Sequence, residues 1–441
     1  MMYSRRGFLG WGLVLLSTTA GRAAPSTPSR NVSNLTPSMK VYPSRYYIIH
    51  SDLDRDDVKE AIIRMNKMAE EYHQRTMGFS GEVRDRLPFY LFRNKDDYYA
   101  SGGLPGSAGV FRGKDLLALA GDHPDPYTWH VVQHEGFHQF AAAVIRGHLP
   151  PWLNEGIAEY FGESLFTGDG FISGIIPPSR LKRIQAQIRD NKFRSIAQMM
   201  QLTQDSWNSK LTGANYDQAW SMVHFLAHGE NGKYQQPFVG FMQQLGRGIP
   251  FNNAWRKTFG DVNGFEDHWR DYWLGLDPDP TADLYAQATT ATLISFYARA
   301  VEQRQHFSSF DEFLQQAQDG KIKTGESEDD WLPPDLLEHA VESVNKLKAT
   351  GALHPEGLHG PQLTLTLSSG MNLVGTALVR YGHISKVSVD LDDTAESVAK
   401  ARQLIDEGKK PQARTVLMDA LKAHPNSPAA KDARDLIKQT R

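Results

Sequence analysis

His134-Glu135-Gly136-Phe137-His138, followed by Trp152-Leu153-Asn154-Glu155-Gly156, sets two imidazoles and two carboxylates within one short span. Residues four apart lie one above the other on a helix face, so His134 and His138 can bind one metal ion together. Glu135 is turned about a hundred degrees off that face, where its carboxylate reaches a water on the metal without capturing the metal itself. Catalytic zinc takes three protein ligands and leaves a fourth position to water, and Glu155, seventeen residues after His138, is the expected third donor. The surrounding pattern predicts a helix over Tyr127–Arg146, carrying Val131, Val132, Phe137, Phe140, Ala141, Val144 and Ile145 inward, stopped by Gly147 and Pro150-Pro151. A second helix from about Trp152 puts Glu155 in its first turn and Glu159 one turn later. There Glu159 can accept the free N–H of a zinc-bound imidazole, His134, and so fix its ring. A purely structural zinc needs no carboxylate between its histidines and closes with a fourth protein ligand; His148 is the nearby side chain that could close the site or replace Glu155.

The run Trp152-Leu153-Asn154-Glu155-Gly156-Ile157-Ala158 resembles the W-L-N-E-G-F-A segment of the gluzincin zinc aminopeptidases, whose Glu after Asn is the third zinc ligand. Asn215-Tyr216-Asp217-Gln218-Ala219-Trp220 is similar to their Y-x-K-G helix start. That resemblance implies that Tyr216 donates a hydrogen bond to the oxyanion of the tetrahedral intermediate, as a phenol beside a metal can. No counterpart of their amine-gripping G-x-M-E-N segment occurs between Ser101 and Trp129, and Ala141 and Val144 stand where the metzincins have Gly and a third His. From about Tyr42 to Leu276 the chain resembles exported bacterial peptidase-MA-like proteins. The implied fold class is α+β: a gluzincin-like zinc peptidase domain, with a small mixed sheet leading into the zinc helix and then a mostly helical lobe.

These roles give one chemistry. Zinc acidifies its water, Glu135 takes the proton and later delivers it to the leaving amine, and Tyr216 meets the developing charge. The expected protein is a zinc-dependent metallopeptidase acting on a peptide or protein substrate, with endo- and exopeptidase action both open. A non-catalytic envelope scaffold that binds protein partners through a peptidase-like fold is the alternative. His224, two turns beyond Tyr216, is read as a core or rim histidine, and His50, His123 and His130 carry no supporting pattern.

The N-terminus, Ser4-Arg5-Arg6-Gly7-Phe8-Leu9 with an apolar run from Trp11 to Leu16, has the form of a twin-arginine export signal cleaved after Ala23. This implies a periplasmic or extracytoplasmic location, and the apolar run is too short for a comfortable span, so no integral membrane span is expected in the mature form. Residues 1–23 hold Arg5, Arg6 and Arg22 and no acids, so their removal takes the formal charge from −3 to −6, which offers nucleic acid no electrostatic attraction. With no cysteine, the core and the metal must hold the fold without disulfides.

Along the chain, residues 24–41 are rich in Pro, Ser, Thr and Asn and predict a flexible tether. The zinc domain is expected over 42–277. Strands are predicted at Arg45–His50, Leu87–Arg93, Gly109–Arg112 and Asp115–Ala120, and a helix over Asp54–Gln74. The edge strand, Leu116–Ala120, could take up an extended peptide by strand addition or be an ordinary covered edge. Helices follow near Ser179–Asp190, Tyr216–His228, Gln235–Leu245 and Phe265–Leu276, with the intervening aromatics, Trp220 to Trp273, as core. Beyond Asp277-Pro278 come a helical connector over 278–360 and a β-rich piece over 361–394. The segment 395–441 resembles a tetratricopeptide-like helical hairpin that docks on the enzyme or on a protein partner.

Overall fold

The computed structural model describes residues 39–147, 149–210, 212–327, 330–357 and 360–440. The expected export signal, most of the tether and the alternative ligand His148 lie outside the described residues. The fold class is α+β. The chain divides into two compact units, one formed by residues up to 164 together with 173–281, the other by 165–172 and 282–441. Among the described residues no helix is long and apolar enough to cross a membrane.

The first unit is built on a five-stranded sheet of β1 (Lys40–Pro43), β2 (Tyr47–Ser51), β3 (Leu87–Phe92), β4 (Gly109–Arg112) and β5 (Asp115–Leu119), in the order β1-β2-β3-β5-β4. Strands β2, β3 and β5 run parallel, and β1 and β4 flank them antiparallel. The central strand Leu87–Phe92 is apolar throughout because both its faces are covered. One face packs Ile49, Phe89, Leu91, Leu116 and Ala118 against Val58, Ile62 and Met65 of α1 (Arg55–Thr76) and Val132 of α3 (Pro126–Val144). The other gathers Tyr90, Phe92, Val110 and Leu117 around Tyr98 of α2 (Lys95–Ala100).

Two expectations are corrected here. The edge beside α3 is β4, not Leu116–Ala120: β5 is interior, because the Arg112–Asp115 turn folds β4 back along its outer side. The tether does not run through residue 41, since Lys40 to Pro43 pair with Ile48 to Ser51.

Asp125 caps α3 by accepting from the Thr128 backbone N–H at 2.7 Å, and Pro126 sits where no helical partner is lost. The helix stops at Val144, two residues before the expected end, because Ile145 bridges to Ser80. Next come α4 (Pro151–Gly162), α5 (Pro178–Arg189), α6 (Ile196–Met200), α7 (Gln204–Lys210), α8 (Gly213–Gly232), α9 (Gln235–Gly246), α10 (Phe251–Phe259) and α11 (Val262–Gly275). Helices α4 and α8 cross closely at Gly156, where a β-carbon would stand 2.5 Å from the Ala219 carbonyl oxygen and 2.6 Å from Val223 Cγ2. The aromatics of α8 to α11, among them Trp220, Trp255, Trp269 and Trp273, are buried as core.

In the second unit α12 (Ala282–Glu302) lies along an antiparallel meander of β8 (Thr350–Gly357), β9 (Gly360–Thr366), β10 (Asn372–Arg380) and β11 (His383–Leu391). Leu293, Ile294 and Tyr297 pack with Leu363, Leu365 and Ala377, and with α13 (Phe310–Gln318) and α14 (Pro334–Leu347). The β-rich piece therefore begins at Thr350, inside the expected helical connector, and not at residue 361. A short hairpin, β6 (Leu165–Phe166) and β7 (Phe171–Ile172), belongs to this unit, with Asp169 in its turn paired to buried Arg299 at 2.7 and 2.9 Å. Three helices, α15 (Thr394–Asp406), α16 (Lys410–Ala423) and α17 (Ala430–Gln439), close on a small core of Val398, Ala401, Leu417 and Leu436.

Candidate metal centre

Helix α3 brings His134 and His138 to one face, and the first turn of α4 brings Glu155 to meet them. The two Nε2 atoms are 3.2 Å apart, and Glu155 Oε2 lies 3.3 Å from that of His134 and 3.4 Å from that of His138. All three residues are buried, Glu155 completely. Three donors bound to a small divalent ion at about 2.0–2.1 Å with tetrahedral angles stand about 3.3–3.4 Å from one another, so this triangle has the right edge on every side. Both Glu155 carboxylate oxygens lack a hydrogen-bond donor. Converging lone pairs in a buried place repel unless a positive charge sits among them, and the cluster could hold a metal ion.

The electrostatics agree. Burial alone would raise the Glu155 carboxyl, but the His138 and His134 rings beside it bring it down to about 2. Burial disfavours charge on His134, yet the carboxylates of Glu155 and Glu159 raise its pKa well above the ordinary value.

Glu159 Oε1 lies 3.3 Å from His134 Nδ1, the ring nitrogen turned away from the triangle. Its other oxygen is 2.6 Å from Arg180 Nη2. Burial raises the Glu159 carboxyl, but Arg180 and then His134 hold it well below the carboxylate range. His130, Glu159 and Glu163 form a second group with metal-ligand atoms. Arg180 already supplies the cation there, bonding Glu163 at 2.6 Å as well, so this group is a salt-bridge cluster.

Glu135 points out of the triangle, and its carboxylate accepts a 2.8 Å hydrogen bond from the Phe111 backbone N–H on β4. Gly109 permits that approach: a β-carbon there would collide with Val131 Cγ1 and stand 3.5 Å from Glu135 Cγ. The Ser107 hydroxyl engages both the N–H and the C=O of Gly109, so this edge of the sheet is in part covered.

Tyr216 stands near the start of α8, buried, and its hydroxyl accepts from Trp207 Nε1 at 3.1 Å. The structure thus gathers His134, His138, Glu155 and Glu159 directly, with Glu135 on the same helix and Tyr216 on a helix packed against α4. His224 is buried with Nε2 3.0 Å from the Gly174 carbonyl oxygen, a core histidine.

Sequence reasoning missed the supports. Gln133 donates to the carbonyls of Phe161, Gly162 and Ser164 at and just past the end of α4, at 3.0, 3.2 and 3.1 Å, tying α3 to α4. Gln139 donates to Pro88 and Lys114 carbonyls at 2.8 and 2.7 Å, anchoring α3 to the sheet. Tyr72 donates to the Gln133 carbonyl. The glutamines flank the histidine motif in the sequence, which was the signal available; Tyr72 and Arg180 left none.

A family model described as a protein of unknown function (DUF1570) matches residues 129–252, a stretch that contains His134, Glu135, His138, Glu155, Glu159 and Tyr216. No curated protein matches the chain.

Proposed function

We propose that this protein is a zinc-dependent metallopeptidase of the gluzincin type, exported by the twin-arginine route and acting on peptide or protein substrates outside the cytoplasm. The observation that carries the reading is the buried triangle of His134, His138 and Glu155, with edges of 3.2–3.4 Å and a carboxylate, Glu135, one residue along the same helix. Imidazole and carboxylate donors in a set of three suit zinc, and leave one position for chemistry. A zinc ion held there would acidify water and polarise a carbonyl.

The chain's own residues supply the rest. Glu135, kept in place by the Phe111 N–H, takes the proton from the attacking water and returns it to the leaving amine. Tyr216 meets negative charge growing on the carbonyl oxygen with its hydroxyl, which Trp207 holds by a 3.1 Å hydrogen bond. Glu159 holds the ring of His134 from behind. An extended peptide pairing with β4 would lie beside Glu135, displacing Ser107 from Gly109. The α15–α17 helices are a tetratricopeptide-like surface for a protein partner.

The test is a metal assay and a hydrolysis screen on unfolded proteins and short peptides, with wild type, Glu135→Gln and Glu155→Ala. Glu135→Gln is expected to keep stoichiometric zinc and lose turnover, and Glu155→Ala to lose zinc. Undiminished hydrolysis by Glu135→Gln would refute the catalytic role, and zinc-loaded wild type that binds peptides without cleaving them would favour a scaffold.

A further inference from the structure

We propose that Arg180 is a positioning residue of the metal centre, clamping the Glu159 carboxylate so that it holds His134 in the orientation that presents Nε2 to the ion. The inference rests on the reading of His134, His138 and Glu155 as a metal site and goes on to say what fixes that site.

Glu159 divides its oxygens, Oε1 to His134 Nδ1 at 3.3 Å and Oε2 to Arg180 Nη2 at 2.6 Å. Which way the carboxylate faces is thus decided by the guanidinium. Arg180 is itself fixed from three sides. Nη1 bonds Glu163 at 2.6 Å, Nε lies 2.8 Å from Asp217 Oδ1, and the Trp220 ring centroid is 4.7 Å from its central carbon. Glu159 comes from α4 and Glu163 from its C-terminal cap, Asp217 and Trp220 from α8, and Arg180 from α5. One planar fork therefore joins the helix carrying Glu155 to the helix carrying Tyr216 while setting the partner of His134. Its donors fan out in a plane, which an ammonium cannot reproduce. Arg183 is unlike it, since among the described residues it reaches Asp217 alone and is 41 % exposed.

With Arg180 gone, Glu159 is left buried without its cation, free to turn away from His134. Partners one step behind a metal ligand change metal affinity by about 10–100-fold when removed.

The experiment measures Zn2+ affinity by competition with a chromophoric chelator, and the visible spectrum with Co2+ in place of zinc, on the full-length protein. The variants are Arg180→Met, Arg180→Lys, Glu159→Gln, Arg180→Met with Glu159→Gln, and Arg183→Gln as control, each checked for folding by thermal unfolding without metal. Arg180→Met is expected to weaken zinc about 10–100-fold and to shift the Co2+ spectrum. In the Glu159→Gln background the same change is expected to add little, since the clamp acts through Glu159. Arg183→Gln should bind like wild type. Wild-type affinity in Arg180→Met, or an equal loss with and without Glu159, would overturn the inference. If Arg180→Met does not fold, Arg180→Lys decides: a weakened site and altered spectrum support the clamp, and wild-type values refute it. Failure of wild type itself to bind zinc would instead refute the metal site.

Discussion

Gly156→Ala separates two opposing effects at the crossing that positions Glu155. A β-carbon at this position would sit 2.5 Å from the Ala219 carbonyl oxygen, 2.9 Å from its carbonyl carbon and 2.6 Å from Val223 Cγ2. Ordinary contact between carbon and such atoms begins near 3.4 Å, so α4 and α8 must part by about 0.8–1 Å. The obstacle is backbone in the middle of a buried helix and cannot rotate aside. Alanine gains about 0.8–1.0 kcal/mol of helix propensity over glycine, against about 1–3 kcal/mol for overpacking a tight interface. The net expectation is a loss of up to about 2 kcal/mol by urea unfolding of the metal-free protein. The more telling readout is metal affinity. Glu155 is the next residue, and metal sites tolerate about 0.2 Å in ligand position, so a helix shift several times larger should weaken zinc at least 10-fold. Equal or greater stability together with unchanged affinity would show that the close crossing does not set the third ligand.

Three further expectations follow from other parts of the chain. Burial, then the neighbouring Arg75, depresses His228 to about 4, and burial, then His228, takes His224 to about 3. Both stay neutral in the native state while the unfolded chain takes protons near 6.5, so their share of stability is complete above that pH and is lost toward pH 4 and 3. His228→Gln should flatten the acid fall of metal-free stability by up to about 1.4 kcal/mol per pH unit between pH 6 and 4, and parallel curves for variant and wild type would count against it. Asp169→Asn breaks a buried two-pronged pair with Arg299 and should cost about 3 kcal/mol in guanidinium unfolding; a loss under about 1 kcal/mol would mean the pair is idle. Leu245 and Gly147 offer a milder case: Gly147, at φ +89° with the Leu245 carbonyl oxygen 2.7 Å from a β-carbon position, should lose about 1–3 kcal/mol on change to Ala, read by thermal unfolding.

His134 and His138 were legible in the sequence because a helix fixes where residues four apart point, and Glu155 because the Trp152–Ala158 run around it resembles a known segment. The helix carrying the histidines was legible too, from its apolar periodicity and from Gly147 and Pro150-Pro151 beyond its end, although the Asp125 cap that starts it was not read. The edge of the sheet was not. Periodicity finds the strands 109–112 and 115–119 but does not say which one lies outside; that is decided by β5 pairing in parallel with β3, a contact 27 residues away in sequence. Thr350–Gly357 was invisible as a strand because it carries Gly351, His354 and Pro355 and shows no alternation. Arg180 was hidden for a related reason: its partners, Glu159 in α4, Glu163 capping α4 and Asp217 in α8, lie on other elements, and nothing local marks it.

The β6–β7 hairpin has a consequence for the chain as a whole. It leaves at Ser164 and returns at Ser173, whose hydroxyls are 2.8 Å apart, so its neck is already drawn shut by the unit it departs from. With residues 165–172 counted in the second unit, the polypeptide passes between the two units three times rather than once. A domain joined by a single linker can be shed by one cut. Here a cut near residue 281 would strand an eight-residue tongue whose aspartate had lost its arginine, so neither half comes away clean.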